Sequence, residues 1–75
     1  MATVYNLRGL KCPLPVLRAQ KYLREVAIGD PIIIETDDPL AALDVPHFCQ
    51  EKSHQLIASK ELEDGAMRFE IERGQ

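Results

Sequence analysis

Apolar and charged residues alternate most regularly near the C-terminus, where Met67, Phe69 and Ile71 are interleaved with Arg68, Glu70 and Glu72. A period of two is that of a strand in a sheet with one covered face, so Ala66 to Glu72 is expected to be a strand. Gln55 to Lys60 is a second candidate, and Glu63-Asp64-Gly65 supplies the hairpin turn between them. Pro31-Ile32-Ile33-Ile34-Glu35-Thr36 is a continuous β-branched run, which suits a central strand buried on both faces, with Pro31 tolerated only as its first residue. Thr3-Val4-Tyr5 is a short β-prone run at the other end of the chain.

Two stretches follow the helical period instead. From Pro13 to about Ala27, a rotation of about 100° per residue places Val16, Ala19, Leu23, Val26 and Ala27 on one face. Leu14, Leu17, Arg18 and Lys21 fall on the other face, and two leucines among basic residues suggest a docking patch. The second helix is expected from Pro39 to about Lys52, with Leu40, Leu43, Val45, Phe48 and Cys49 on its apolar side. Pro46 should kink it or split it into two short helices.

Each helix opens on a proline, whose missing N–H would have no partner in a first turn. Asp38 reads as the N-cap of the second helix, with Pro39 at N1. In the first helix the same grammar puts Cys12 at the N-cap, Pro13 at N1 and Pro15 at N3, leaving the amides of Cys12 and Leu14 unpaired. Leu14 precedes a proline and so disfavours the helical region, which makes an irregular first turn expected. The element order is β-α-β-α-β-β, an α+β two-layer sandwich in which two helices cover one face of a mixed four-stranded sheet.

Seventy-five residues make one domain, 1–75, burying only about 60% of the surface of its unfolded chain. The net charge of −3 conceals an asymmetry. Residues 1–34 carry five basic and two acidic groups, and residues 35–75 four basic and ten acidic, so the halves stand at +3 and −6. An acidic chain lacks the basic footprint of a dedicated nucleic-acid binder, and no direct nucleic-acid contact is expected. No run is long enough for a membrane span. Met1 to Asn6 lacks a basic and apolar leader pattern, and two cysteines without such a leader suggest a reducing, cytoplasmic setting.

Cys12 is the chemical centre of this reading. A thiol at a helix N-terminus gains about 0.3–1 kcal/mol for its charged form, or roughly 2 in a favourable partly buried geometry. Lys11, Arg8 and Arg18 are the nearby cations, and together these groups are expected to lower the thiol pKa from its ordinary value of about 8.5. A buried, space-filling cysteine is the competing reading. For Cys49 that core reading is the favoured one. A Cys-x-x-Cys redox mechanism is excluded because position 15 is proline. Cys12, His47, Cys49 and His54 are all metal-ligand types, but their spacing matches no recognised site, and neither metal nor cofactor is expected. Phosphate loops, dinucleotide fingerprints and a base paired with the nucleophile are also missing from the sequence.

The run Leu7-Arg8-Gly9-Leu10-Lys11-Cys12-Pro13-Leu14-Pro15 resembles the signature of the TusA (SirA-like) sulfur-carrier family. So do Thr36-Asp37-Asp38-Pro39, Asp44-Val45-Pro46-His47-Phe48-Cys49 and Ser53-His54-Gln55-Leu56, in family order and spanning nearly the whole chain. Asn6 stands where that family usually has Asp, and Ser53 where Gly is frequent. The resemblance implies the same two-layer fold and a persulfide carried on Cys12. Gly9, Pro13 and Pro15 would shape the site, and Lys11, Leu14, Leu17 and Arg18 would dock partners. Those partners would be a cysteine desulfurase or rhodanese-like sulfur donor and a downstream acceptor protein, in a relay such as tRNA thiolation. The resemblance also adds that the Asp37-Asp38 turn faces partner proteins. Two other classes stay open at this stage: a regulatory or interaction module with a structural Cys12, binding protein or RNA, and a redox sensor working through Cys12 oxidation.

Overall fold

The computed structural model describes residues 3–75, so Met1 and Ala2, and with them the start of the expected leaderless segment, lie outside the described residues. The elements are β1 (Thr3–Asn6), α1 (Leu14–Glu25), β2 (Pro31–Thr36), α2 (Ala41–Glu51), β3 (Gln55–Glu61) and β4 (Met67–Glu72). They form the expected β-α-β-α-β-β sandwich, with sheet order β1-β2-β4-β3. β1 runs parallel to β2, and β4 runs antiparallel to both β2 and β3.

The core lies between the sheet and the helices. Ile32, Ile34, Phe69 and Ile71 from the central strands meet Ala19 and Leu23 of α1 and Ala41, Val45, Phe48 and Cys49 of α2, all buried. Each fully buried large side chain contributes about 1.5–3 kcal/mol of transfer free energy. Tyr5 and Tyr22 stack with ring centroids 3.8 Å apart, fixing α1 to edge strand β1.

Among the described residues no second layer covers the opposite face of the sheet, which corrects the expectation for β2. Ile32, Ile34 and Thr36 face the helices, while Glu35, on the other side, is covered by arginines. Arg8 Nη1 meets Glu35 Oε1 at 2.6 Å and Arg68 Nη2 meets Glu35 Oε2 at 2.5 Å. These hydrogen bonds outweigh burial and hold the Glu35 carboxyl below its usual range.

Both helices depart from the expectations in their bounds, and α2 also in its continuity and its apolar side. α1 starts one residue later than the proline grammar suggests, with Pro13 at the N-cap and Pro15 at N2, and it stops at Glu25, leaving Ala27 exposed. The reason is a turn closed by Leu14 N–H to Lys11 C=O at 2.8 Å, which takes Cys12 and Pro13 as its middle residues. α2 starts at Ala41 rather than Pro39, and it runs through Pro46 as one helix rather than two short ones. The carbonyl that Pro46 cannot satisfy belongs to exposed Ala42, where water can reach it. Leu40 and Leu43 are 54% and 72% exposed, so they do not belong to the apolar side of α2.

At the end of α2, His54 N–H reaches Cys49 C=O at 2.8 Å and Ser53 N–H reaches Gln50 C=O at 3.4 Å. This is the paired closure that usually ends on glycine, and here Ser53 takes the left-handed conformation with φ 62°. No helix among the described residues is long and apolar enough to cross a membrane.

Candidate functional site

Parallel pairing of β1 and β2 puts their carboxyl ends side by side, so the loop after β1 and the turn after β2 lie against each other. The first holds Cys12 and the second holds Asp37 and Asp38. Leu7 N–H extends the ladder to Glu35 C=O at 2.7 Å, and the buried Leu7 side chain pins the loop base to the core. Gly9 has φ +86°, a region other residues rarely adopt, and its N–H donates to Asp37 Oδ1 at 3.0 Å. Asn6 Oδ1 accepts from Arg8 N–H at 3.1 Å, so asparagine closes the first turn of the loop in place of the more usual aspartate.

The second contact across the two segments decides how Cys12 is held. Cys12 N–H donates to Asp38 Oδ2 at 2.5 Å, while Asp38 Oδ1 accepts from Leu40 N–H at 3.1 Å. Asp38 is thus not the N-cap the proline grammar suggests, a place taken by Leu40, but closes the turn ahead of α2, and it turns inward to the cysteine loop rather than outward. The N–H donors of Cys12 and Leu40, with Lys11 nearby, hold its carboxyl below the usual range against the effect of burial.

Cys12 is half-exposed and lies two residues before the first helical residue, across a cis bond to Pro13. Its thiol donates a hydrogen bond to Asp44 Oδ2 in the first turn of α2. The amides expected to face the thiol are spent on Asp38 and on Lys11 C=O. Arg8 is turned away, bound to Glu35 and to Asp64 at 3.2 Å. The Asp44 hydrogen bond comes first, followed by desolvation and the charges of Asp44 and Asp38, and together they push the thiol pKa up. This reverses the expectation of a lowered thiol.

The remaining expected residues divide clearly. Lys11, Leu14, Leu17 and Arg18 are exposed along the loop and the outer face of α1, with the two leucines 44% and 52% exposed. Pro13 is exposed beside the cysteine, and Pro15 is buried and anchors the start of α1. Cys49 lies in the core at 2% exposure, where burial pushes its thiol up to about 11. His47 pairs with Glu51 at 3.4 Å on the exposed side of α2, and His54 accepts from Gly74 N–H at 3.0 Å. Among the described residues no three His, Cys, Asp or Glu side chains gather as a metal site. Asp44 is the residue the sequence reading missed: it stood inside a quoted motif, but nothing local ties it to a cysteine 32 positions away.

A shallow groove of about 230 Å³ runs from Pro13 between α1 and α2, lined by Val16, Gln20, Asp44, His47 and Phe48. It is smaller than the roughly 300–1,000 Å³ of ordinary small-molecule sites. The arrangement offers a half-exposed thiol with a carboxylate beside it, on an open groove rather than in an enclosed chamber.

Comparison with known proteins agrees with this architecture. A crystal structure of the SirA-like protein from Desulfitobacterium hafniense superposes with a TM-score of 0.85 at 23% identity, covering 97% of this chain and 99% of that one. A protein of Archaeoglobus fulgidus described as a candidate sulfur carrier is 41% identical over 63 residues, which is 84% of this chain and 82% of that protein. The family model for sulfurtransferase TusA matches residues 3–73. The chain therefore belongs to the TusA sulfurtransferase family.

Proposed function

We propose that this protein is a sulfur carrier in which Cys12 accepts sulfane sulfur, holds it as a persulfide and passes it to an acceptor protein. The observation that carries the reading is Cys12 itself. In a TusA-family chain, the cysteine of the Cys12-Pro13-Leu14-Pro15 run stands half-exposed at the carboxyl end of the parallel strands. A sulfur already activated on another protein needs only an accessible thiol, and the shallow groove beside Cys12 suits a partner surface better than a free small molecule.

The donor in this reading is a cysteine desulfurase or a rhodanese-like protein. The acceptor feeds a thiolation pathway, of which tRNA thiolation is one, and the relay operates in the cytoplasm. Gly9, Pro13 and Pro15 shape the site, the first by its backbone conformation and the prolines by fixing the entry to α1. Exposed Leu14 and Leu17, with Lys11 and Arg18 around them, form an apolar patch with a basic rim on which donor and acceptor dock in turn.

The test is to incubate the protein with a cysteine desulfurase and cysteine and record its intact mass. The expected result is one added sulfur on the wild type, removable by a thiol reductant, and none on Cys12→Ser. An unchanged wild-type mass, or equal loading of Cys12→Ser, would overturn the proposal.

A further inference from the structure

Two carboxylates flank Cys12, and they are engaged differently. Asp38 is occupied by the backbone amides of Cys12 and Leu40, with the charge of Lys11 close by. Asp44 has no basic partner: among the described residues none of the ion pairs includes it. Its contact is the proton of Cys12, at the half-exposed mouth of the groove between α1 and α2. Among the described residues, Lys11 beside Cys12 and Lys52 in the same groove are in no ion pair, and neither reaches Asp44, whereas Arg8 and His47 are engaged elsewhere. Arg8 is bound to Glu35 and Asp64, and His47, which lines the same groove, pairs with Glu51.

We propose that Asp44 is a positioning residue for Cys12, holding the thiol of the free carrier in its protonated form and so setting the pH range over which Cys12 takes up sulfur. The sulfur step rests on the carrier reading above. A carboxylate that accepts a thiol hydrogen bond favours the neutral thiol and disfavours a second negative charge beside it. Only the thiolate is strongly nucleophilic, so the free protein is kept from unproductive alkylation and oxidation.

Sulfur uptake then requires this proton to leave. Cys12 Sγ bonds the outer sulfur of the donor persulfide, and the donor S–S bond breaks with its electron pair on the inner sulfur. The proton released from the contact with Asp44 ends on that departing thiolate. The transferred sulfur keeps its oxidation state, and no outside oxidant or reductant is needed.

The experiment follows iodoacetamide alkylation of Cys12 across pH by peptide mass, in wild type, Asp44→Asn and Glu63→Gln, the last removing an exposed charge in the β3–β4 turn. Sulfur uptake from glutathione persulfide is followed in parallel. In wild type the alkylation midpoint is expected above the ordinary cysteine value of about 8.5. Asp44→Asn should move the midpoint down and speed both alkylation and sulfur uptake severalfold at pH 7, whereas Glu63→Gln follows wild type. A folded Asp44→Asn whose profile overlays wild type, or a wild-type midpoint at or below 8.5, overturns the proposal. If Asp44→Asn does not fold, the wild-type midpoint decides alone. A shifted alkylation profile with no sulfur uptake in any variant would sink the carrier reading and leave the hold of Asp44 on the proton standing.

Discussion

The two cysteines stand at opposite poles of the same chemistry. Cys49 is raised to about 11 by burial, packed with Val45 and Phe48 in the core. Cys12 is also raised, but by a hydrogen-bonded carboxylate at a half-exposed site. The direction of a pKa shift does not by itself tell a structural thiol from a functional one. The cause does: burial is constant for the life of the fold, whereas a hydrogen bond to an accessible carboxylate can be broken by whatever docks beside it. Access and reversibility set Cys12 apart.

The contrast can be broken most forcefully through stability. Cys49→Ser puts a hydroxyl in a buried, apolar site where, among the described residues, nothing hydrogen-bonds the sulfur, and leaving that group unsatisfied should cost about 1–3 kcal/mol in urea unfolding. Cys12→Ser should leave the unfolding midpoint unchanged while abolishing sulfur loading. Equal destabilisation by both would mean that Cys12 is a packing residue after all.

A smaller effect sharpens the same contrast. Ser53 ends the helix that carries Cys49, in a left-handed conformation that disfavours side chains by about 1–2 kcal/mol. Glycine removes that strain but is more flexible when unfolded, so Ser53→Gly should stabilise the protein by about 0.5–1 kcal/mol net. The alkylation rate of Cys12 should not change, because the stiffness of this helix end and the reactivity of the site are separate. A change in that rate would show that the two regions are coupled.

Local patterns account for most of the fold and only half of the site. The β2 boundaries, the alternation in β4 and the exposed side of α1 were all legible, because each depends on residues adjacent in sequence or one helical turn apart. The leucines of α2 misled for the same reason. Leu43 fits an apolar pattern, but the helix turns it outward, and an exposed leucine costs little. Cys12 and its prolines stood out from their order along the chain, a cysteine followed by prolines at the start of a helical run. What a local reading could not reach was the environment of the thiol. A basic N-terminal half suggested cations around it, whereas folding sends Arg8 to Glu35 and brings Asp38 and Asp44 from the acidic half to the cysteine. Contacts spanning 26 and 32 positions are set by strand pairing, not by neighbours in the chain.

The most direct test of the central claim is to locate the sulfur. After loading by a desulfurase and capping of the persulfide, cleavage after lysine and arginine separates the two cysteines, because Arg18, Lys21 and Arg24 lie between them. The extra sulfur is expected on the peptide that begins at Cys12, with Cys49 unmodified. Sulfur on Cys49, or shared between the two, would contradict it.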